Sequence, residues 1–292
     1  MDRRTFLKSS AGVTLSGLAW MATGCASESD SSSAAATDTS AAGTRSLPAL
    51  GVQLYTVRSL MEDDFEGTLQ SVADIGFDHV EFAGYYERSP EEVCARLDDL
   101  GLAAPSAHVP LEPLRNDLDG VIQTAQAVGH EYVICPWLPE EERASIANYR
   151  ALAQFFNEVG GQMRDAGLQF GYHNHAFEFE AIDGTRPYDV LLDETDPEHV
   201  TMELDLYWIR EAGFDPLTYF ADYPGRFALA HVKDRADDGT MLPVGQGAID
   251  FAAIFAQSEQ AGLQHYVVEH DNPDDPLTSI RTSHDYLRQL RF

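Results

Sequence analysis

Short apolar runs alternate with longer segments of helical periodicity through residues 47–292, and this alternation is what most constrains the fold. The apolar runs predict strands at 49–54, 79–82, 103–107, 132–135, 169–172, 200–204, 227–231 and 266–269. The segments between and after them predict helices at 64–76, 90–100, 112–129, 140–166, 187–194, 214–223, 249–262 and 277–290. Eight βα repeats without a second domain predict an α/β protein, a single closed (β/α)8 TIM barrel.

Two further observations favour the barrel. The runs 132–135 and 266–268 are continuously apolar, as expected of parallel strands that are buried on both faces. An open doubly wound sheet is the alternative, but a glycine-rich phosphate loop does not follow the first strand, which continues as Gln53-Leu54-Tyr55-Thr56.

The first 46 residues are not predicted to join the barrel. Residues 1–25 combine an arginine pair with an apolar run too short to stay in a bilayer, which predicts a twin-arginine-like export signal. Small residues before Cys25 predict lipoprotein processing and a lipid anchor at that thiol. Residues 26–46 have no large apolar side chain and predict a flexible linker. We therefore expect an exported protein, in the periplasm or on the extracellular face.

The charge of the chain excludes some partners. The net charge is −29, which would repel a phosphate backbone and argues against nucleic acid. Only two lysines occur, Lys8 and Lys233, so removal of the signal would leave Lys233 alone. Because Lys233 lies beside His231 and Asp234, we expect it to have a role in the functional site.

Polar residues collect where the predicted strands end. In a barrel the carboxyl ends of all strands meet on one face, so these residues are expected to converge. In chain order they are Gln53, Tyr55, Glu81, His108, Trp137, His173, His175, Glu178, Glu203, Asp205, His231, Lys233, Glu269 and Asp271.

Alternation along the strands selects residues that share a face. Glu203 and Asp205 are two residues apart and should both point into the barrel, as should His231 and Lys233. Asp205, His231 and Glu269 form a mixed oxygen and nitrogen donor set suited to Mn²⁺, Mg²⁺, Co²⁺ or Zn²⁺. A fourth ligand would come from the stretch 173–178. The alternative is a buried ion-pair network without metal.

Several motifs together resemble the sugar phosphate isomerase/epimerase family, the xylose-isomerase-like barrels. The resemblance spans residues 47–292. The motifs are Gly51-Val52-Gln53-Leu54-Tyr55, Val80-Glu81-Phe82, Ser106-Ala107-His108, Tyr172-His173-Asn174-His175 with Glu178, Leu204-Asp205, His231-Val232-Lys233-Asp234, Val244-Gly245-Gln246-Gly247 and Val268-Glu269-His270-Asp271.

The resemblance implies a metal held by Glu, Asp, His and Glu from strands five to eight. Asp205, His231 and Glu269 match the last three. The first ligand departs from the pattern, because His173 stands where many members have Glu. Either His173 replaces the carboxylate or Glu178 supplies it, and we favour Glu178 because it keeps the charge of the family's site.

The resemblance also implies proton transfer beside a sugar carbonyl. It assigns Glu178 and Glu269 to the proton transfers, and His108 and Lys233 to sugar oxygens. The remaining residues expected at the substrate are Gln53, Tyr55, Glu81, His175 and Trp208. For Tyr55 and Trp208, core packing is the alternative. Trp208 also stands where epimerases often carry a His, so the substrate is not inherited.

The expected activity is that of a metal-dependent isomerase or epimerase of a non-phosphorylated sugar or keto-sugar, since export and the lack of a basic cluster disfavour phosphorylated substrates. A lyase or dehydratase of 3-keto-glycosides or inososes would use the same enolate chemistry. A non-catalytic sugar-binding lipoprotein is a third alternative. A DNA-repair endonuclease is related by fold, but the expected export and the acidic surface of this chain argue against that function. Self-association into a homo-oligomer is left open.

Overall fold

The structure, a computed structural model, describes residues 44–292. The export signal, Cys25 and all of the linker up to residue 43 lie outside the described residues. None of the helices within 44–292 is long and apolar enough to cross a membrane.

Eight parallel strands close into a barrel. They are β1 (Gly51–Gln53), β2 (His79–Phe82), β3 (Ala103–His108), β4 (Tyr132–Cys135), β5 (Gln169–His173), β6 (Val200–Asp205), β7 (Phe227–Val232) and β10 (His265–Val268). Each strand pairs with its neighbours in chain order, and β10 pairs with β1 to close the ring. A two-stranded hairpin, β8 (Asp234–Arg235) and β9 (Met241–Leu242), follows β7. The predicted strands and closed barrel are confirmed.

Helices surround the barrel. They are α1 (Arg58–Asp63), α2 (Phe65–Ile75), α3 (Pro90–Leu100), α4 (Leu111–Asn116), α5 (Leu118–Val128), α6 (Ile146–Asp165), α7 (Pro187–Glu194), α8 (Leu206–Glu211), α9 (Pro216–Asp222), α10 (Phe251–Phe255), α11 (Ser258–Ala261) and α12 (Pro276–Gln289). Short 3-10 turns lie at Leu54–Val57, Glu140–Glu142 and Phe177–Phe179.

Three predicted helices differ in their boundaries. One of them, 249–262, is divided into α10 and α11 at residues 256 and 257, and the other two are explained by capping residues. The segment 112–129 is two helices, because the Asp117 side chain accepts a hydrogen bond from the Gly120 N–H and caps a new helix there. The segment 140–166 begins with the 3-10 turn Glu140–Glu142 and becomes α-helical only at Ile146, where Ser145 caps the first turn through the Asn148 N–H. In both cases a short polar side chain competes for backbone N–H groups and fixes the helix start.

The barrel wall separates two environments. Side chains that point outward, such as Phe170 and Val232, are buried against the helices in the main apolar core. Tyr132 and Leu229 belong to a small separate apolar cluster. Along β7, Leu229 is followed at two-residue spacing by His231, and Lys233 comes just after the strand. Along β7 the interior therefore changes from apolar to ionisable toward the carboxyl end of the strand.

Neighbouring glycines in α6 provide a test of this packing. A Cβ at Gly160 would collide with the backbone carbonyl of His199, whereas a Cβ at Gly161 would lie 3.6 Å from the His199 ring. We expect Gly160→Ala to lower the free energy of unfolding by about 1–3 kcal/mol, as overpacking does. Gly161→Ala should be neutral or raise it by up to about 1 kcal/mol through helix propensity.

Urea unfolding of the two variants and the wild type gives the comparison. Equal effects of the two substitutions would contradict this account of α6.

Candidate active site

A cavity of about 360 Å³ opens where the barrel strands end. It is lined by Tyr55, Ala83, His108, Pro110, Pro136, Trp137, His173, His175, Lys233, Glu269, Asp271 and Asn272. The described lining thus combines aromatic and imidazole rings with two carboxylates, and Lys233 is its only lysine or arginine. Such a concave site with a few convergent polar groups suits a small polar ligand.

Three residues form an outer group beside the cavity: Asp205, His231 and Glu269. Their ligand atoms all lie within 4.8 Å of one another. His231 Nδ1 donates to Glu269 Oε2 at 2.8 Å. Lys233 Nζ lies 3.0 Å from Asp205 Oδ2, 2.7 Å from Glu269 Oε2 and 2.7 Å from Asp271 Oδ1. The sequence prediction that these strand ends converge agrees with this placement.

A second, inner group lies deeper in the barrel and shares His231. It consists of His108, His173, Glu203 and His231, whose ligand atoms are likewise within 4.8 Å of one another. Glu203 Oε2 accepts hydrogen bonds from His108 Nε2 at 2.7 Å and His173 Nδ1 at 3.1 Å. Glu81 Oε1 lies beside this group, 2.7 Å from His231 Nε2 and 3.0 Å from His108 Nε2.

Burial and neighbouring charges set the protonation of these groups. Burial raises the pKa of Asp205 to about 6, and Lys233 opposes that change. Burial and Glu81 oppose ionisation of Glu203, but His231 and His108 lower its pKa to about 2. Burial lowers the pKa of His108, yet Glu81 and Glu203 outweigh it and raise the value to about 9. The site therefore pairs ionised carboxylates with protonated imidazole at neutral pH.

The donor set of the outer group fits a divalent cation. Asp205 Oδ2 is buried and, despite its closeness to Lys233, makes no hydrogen bond within the described residues. His173 Nε2 lies 3.6 Å from the same oxygen. Two carboxylates and two imidazoles are a donor combination found at Mn²⁺, Co²⁺ and Zn²⁺ sites. His173 can therefore complete the set with Asp205, His231 and Glu269.

Glu178, the residue we favoured as first ligand, is not brought to either group. Its Oε1 accepts a hydrogen bond from the Tyr172 hydroxyl, and its Oε2 accepts one from the His175 N–H at 2.8 Å. Burial raises the pKa of Glu178 to about 7, with Tyr172 opposing the change. Glu178 lies in the 3-10 turn Phe177–Phe179, is fully buried and is not part of the cavity lining. His173, the other candidate, lies at the end of β5 with its Nε2 3.6 Å from Asp205 Oδ2.

The residues expected at the substrate divide into two sets. His108, His175, Lys233 and Tyr55 line the cavity, and Tyr55 is 42% exposed. The other three, Gln53, Glu81 and Trp208, are not part of its lining.

Contacts explain where those three residues lie. Gln53 donates to Glu81 at 2.7 Å, and both side chains are fully buried. The Trp208 ring packs against His175 at 5.4 Å between centroids, and its buried Nε1 has no hydrogen-bond partner among the described residues. Gln53 and Glu81 therefore support the site from below, and Trp208 supports a residue of the cavity wall.

Three residues at the cavity were not assigned a role from the sequence: Trp137, Asp271 and Asn272. Trp137 is 45% exposed at the mouth, and Asp271 binds Lys233. Trp137 and Asp271 were expected among the strand-end residues without a role, and the position of Asp271 two residues after Glu269 places the two on one face. Asn272 belongs to the loop after β10, where spacing predicts no orientation.

Similar sequences include proteins named inosose dehydratase. The one from Lacticaseibacillus casei is 27% identical over 144 residues, covering 43% of this chain and 48% of that protein, so the match spans about half of its length. The one from Geobacillus kaustophilus is 21% identical over 266 residues, covering 76% of this chain and 86% of that protein.

Solved structures show the same barrel. A sugar phosphate isomerase/epimerase from Parabacteroides distasonis superposes with a TM-score of 0.71 at 25% identity, covering 86% of this chain and 96% of that chain. A zinc-bound structure of the IolI protein superposes with a TM-score of 0.66 at 16% identity, covering 81% of this chain and 95% of that chain. The second likeness shows the fold alone.

A family model described as the xylose isomerase-like TIM barrel matches residues 69–290. The matched segment includes β2 to β10 and every residue of the outer and inner groups. The chain therefore belongs to the xylose isomerase-like TIM barrel family.

Proposed function

We propose that this protein is a divalent-metal-dependent lyase that removes a β-substituent from a non-phosphorylated keto-sugar, keto-glycoside or inosose. The observation that carries the proposal is the presence of a base and an acid in one cavity. Glu269 and His108 both line it, and they stand three strands apart in the ring. Burial opposes ionisation of Glu269, but Lys233 and His231 lower its pKa, so it is a carboxylate at neutral pH.

The proposed reaction begins with proton transfer from carbon. Glu269 accepts the proton next to the substrate carbonyl, and His108 donates a proton to the departing hydroxyl or alkoxide. Asp205, His231, Glu269 and His173 would hold the cation. A divalent cation there supplies Lewis acidity, which makes a proton next to a carbonyl more acidic. Lys233 lines the cavity and would donate to a substrate oxygen by exchanging one of its three carboxylate contacts.

The position of Glu178 favours elimination over epimerisation. Epimerisation by two bases requires a second proton-transfer group on the opposite face of the substrate carbon, and we expected Glu178 to fill that role. Its carboxylate is fully buried and holds the Tyr172 hydroxyl and the His175 N–H. His108, whose raised pKa keeps it protonated, is suited to assist a leaving group. The dehydratase names of similar proteins support the same outcome.

An isomerase or epimerase is the second candidate. The specific observation in its favour is the likeness to the Parabacteroides distasonis protein named sugar phosphate isomerase/epimerase. A phosphorylated substrate is disfavoured, because Lys233 is the only lysine or arginine in the described cavity lining and it already faces three carboxylates. Export of the protein, and its anchoring through Cys25, remain part of the proposal on the strength of the N-terminal sequence.

The two reactions are separated by their products. Metal-loaded protein incubated with an inosose in deuterated water should release water and form the unsaturated product, measured by proton NMR and ultraviolet absorbance. Glu269→Gln should lower kcat by about 10²–10⁴-fold, because the proton acceptor is lost. Glu211→Gln, which alters a partly exposed partner of Arg235, is the control.

Deuterium uptake at carbon without loss of the β-substituent would replace the lyase with the isomerase or epimerase. If Glu269→Gln and Glu211→Gln retain equal activity, Glu269 is not the base.

Lys233 provides a test of site electrostatics that needs no substrate. In the absence of divalent metal, Lys233→Met leaves Asp205 and Glu269 without their ammonium partner. We expect the free energy of unfolding to fall by about 3–5 kcal/mol, as for a broken buried ion pair. Arg235→Met removes a partly exposed pair with Glu211 and should cost under about 1 kcal/mol.

Urea unfolding with a chelator present, at neutral pH, measures both. Equal losses would show that the Lys233 contacts do not stabilise the folded protein.

A further inference from the structure

One carboxylate oxygen inside the barrel is approached by three imidazole rings. Glu203 Oε2 lies 2.7 Å from His108 Nε2, 3.1 Å from His173 Nδ1 and 3.1 Å from His231 Nε2. Glu203 is fully buried. A carboxylate can only accept hydrogen bonds, so ring nitrogens at these distances are expected to carry protons.

The opposite nitrogens of two of these rings face the outer carboxylates. His173 Nε2 lies 3.6 Å from Asp205 Oδ2, and His231 Nδ1 lies 2.8 Å from Glu269 Oε2. Each ring therefore stands between Glu203 on its inner side and a candidate metal ligand on its outer side. A neutral imidazole has one N–H and one lone pair, so a proton kept on the inner nitrogen leaves the outer one free to bind metal. For His231, metal binding would displace the Nδ1 proton that Glu269 accepts.

Strand register produces this arrangement. His173 on β5 is the Cα partner of Glu203 on β6, and Asp205 on β6 is the partner of His231 on β7. Glu203 and Asp205 are two residues apart, so they share the inner face of β6. Strand β6 thus places the acceptor Glu203 and the candidate metal ligand Asp205 beside the histidines of β5 and β7.

We propose that Glu203 is a positioning residue that holds His173 and His231 with their inner N–H groups toward its carboxylate, so that their outer nitrogens bind the cation. The inference rests on the metal site of the proposed function. It assigns a role to Glu203, which is not one of the four proposed metal ligands. Carboxylates placed behind metal-binding histidines fix the ring orientation and the tautomer and increase the basicity of the ligating nitrogen.

Glu203 is better placed for this task than Glu81. Both approach His231 Nε2, at 3.1 Å and 2.7 Å respectively. Of the described residues, only Glu203 accepts a hydrogen bond from His173. His231 would keep one inner acceptor without Glu203, whereas His173 would keep none. The loss of Glu203 should therefore weaken metal binding by His173, the residue that stands where many family members have Glu.

Glu203→Gln tests the proposal with little change in volume. The amide can donate a hydrogen bond to the inner ring nitrogen, which would move the imidazole proton to the outer nitrogen and block it as a ligand. We expect the affinity for Zn²⁺, measured by competition with a chromophoric chelator, to fall about 10–100-fold. Glu211→Gln, which alters a partly exposed carboxylate paired with Arg235 outside both groups, is the control and should change the affinity less than about twofold.

A second measurement keeps the proposal testable if the variant does not fold. Nitrogen-15 NMR of the zinc-loaded wild type reports which ring nitrogen is protonated and which is metal-bound, with resonances assigned from His173→Gln and His231→Gln. We expect protonated Nδ1 on His173 and protonated Nε2 on His231. A purely structural role for Glu203 would not fix these tautomers.

Several results would overturn the inference. Unchanged zinc affinity in Glu203→Gln, or the reverse tautomers in the wild type, would remove the positioning role alone. Two zinc ions per chain, one of them lost in Glu203→Gln, would make the inner group a metal site and Glu203 a ligand. A wild type that binds no divalent metal would overturn the proposed metal site together with this inference.

Discussion

The structure depends on compensating several carboxylates that are buried inside a closed barrel. Glu81, Glu203 and Asp205 are fully buried, and Glu269 is nearly so. Each ionised carboxylate removed from water costs on the order of several kcal/mol unless it is paired and hydrogen-bonded. The interior meets this requirement with histidines and one lysine arranged in two layers, so the positions of the cations determine which carboxylates can be charged.

Stability and reactivity come from different parts of the barrel. The apolar layer between the strands and the helices supplies the hydrophobic burial. The interior near the carboxyl ends of the strands contains polar contacts, which contribute little net stability. Two of the buried oxygens there, Asp205 Oδ2 and Glu203 Oε1, make no hydrogen bond within residues 44–292, although Lys233 Nζ lies 3.0 Å from the first. Unsatisfied groups of this kind are rare in folded proteins and are a feature of functional sites.

The sequence predicted much of the fold and only part of the site. Strand periodicity and topology were sufficient to bring Asp205, His231 and Glu269 together, because strand ends in a barrel converge whatever their separation along the chain. The position of Glu178 could not be predicted, since it lies in a turn after β5 where side chains no longer alternate. The break at Asp117 was missed for a related reason: helical periodicity continues across it, and only the capping hydrogen bond ends one helix and starts the next.

The burial of Lys233 has a consequence for chemical probing of this protein. It is the only lysine after residue 8 of the sequence, and its side chain is 3% exposed. Amine-reactive reagents can therefore modify the barrel at one side chain, and only when its ammonium leaves the three carboxylates or the chain unfolds. The rate of acylation at that amine would report the free energy of local opening at the site, as hydrogen exchange does for backbone amides.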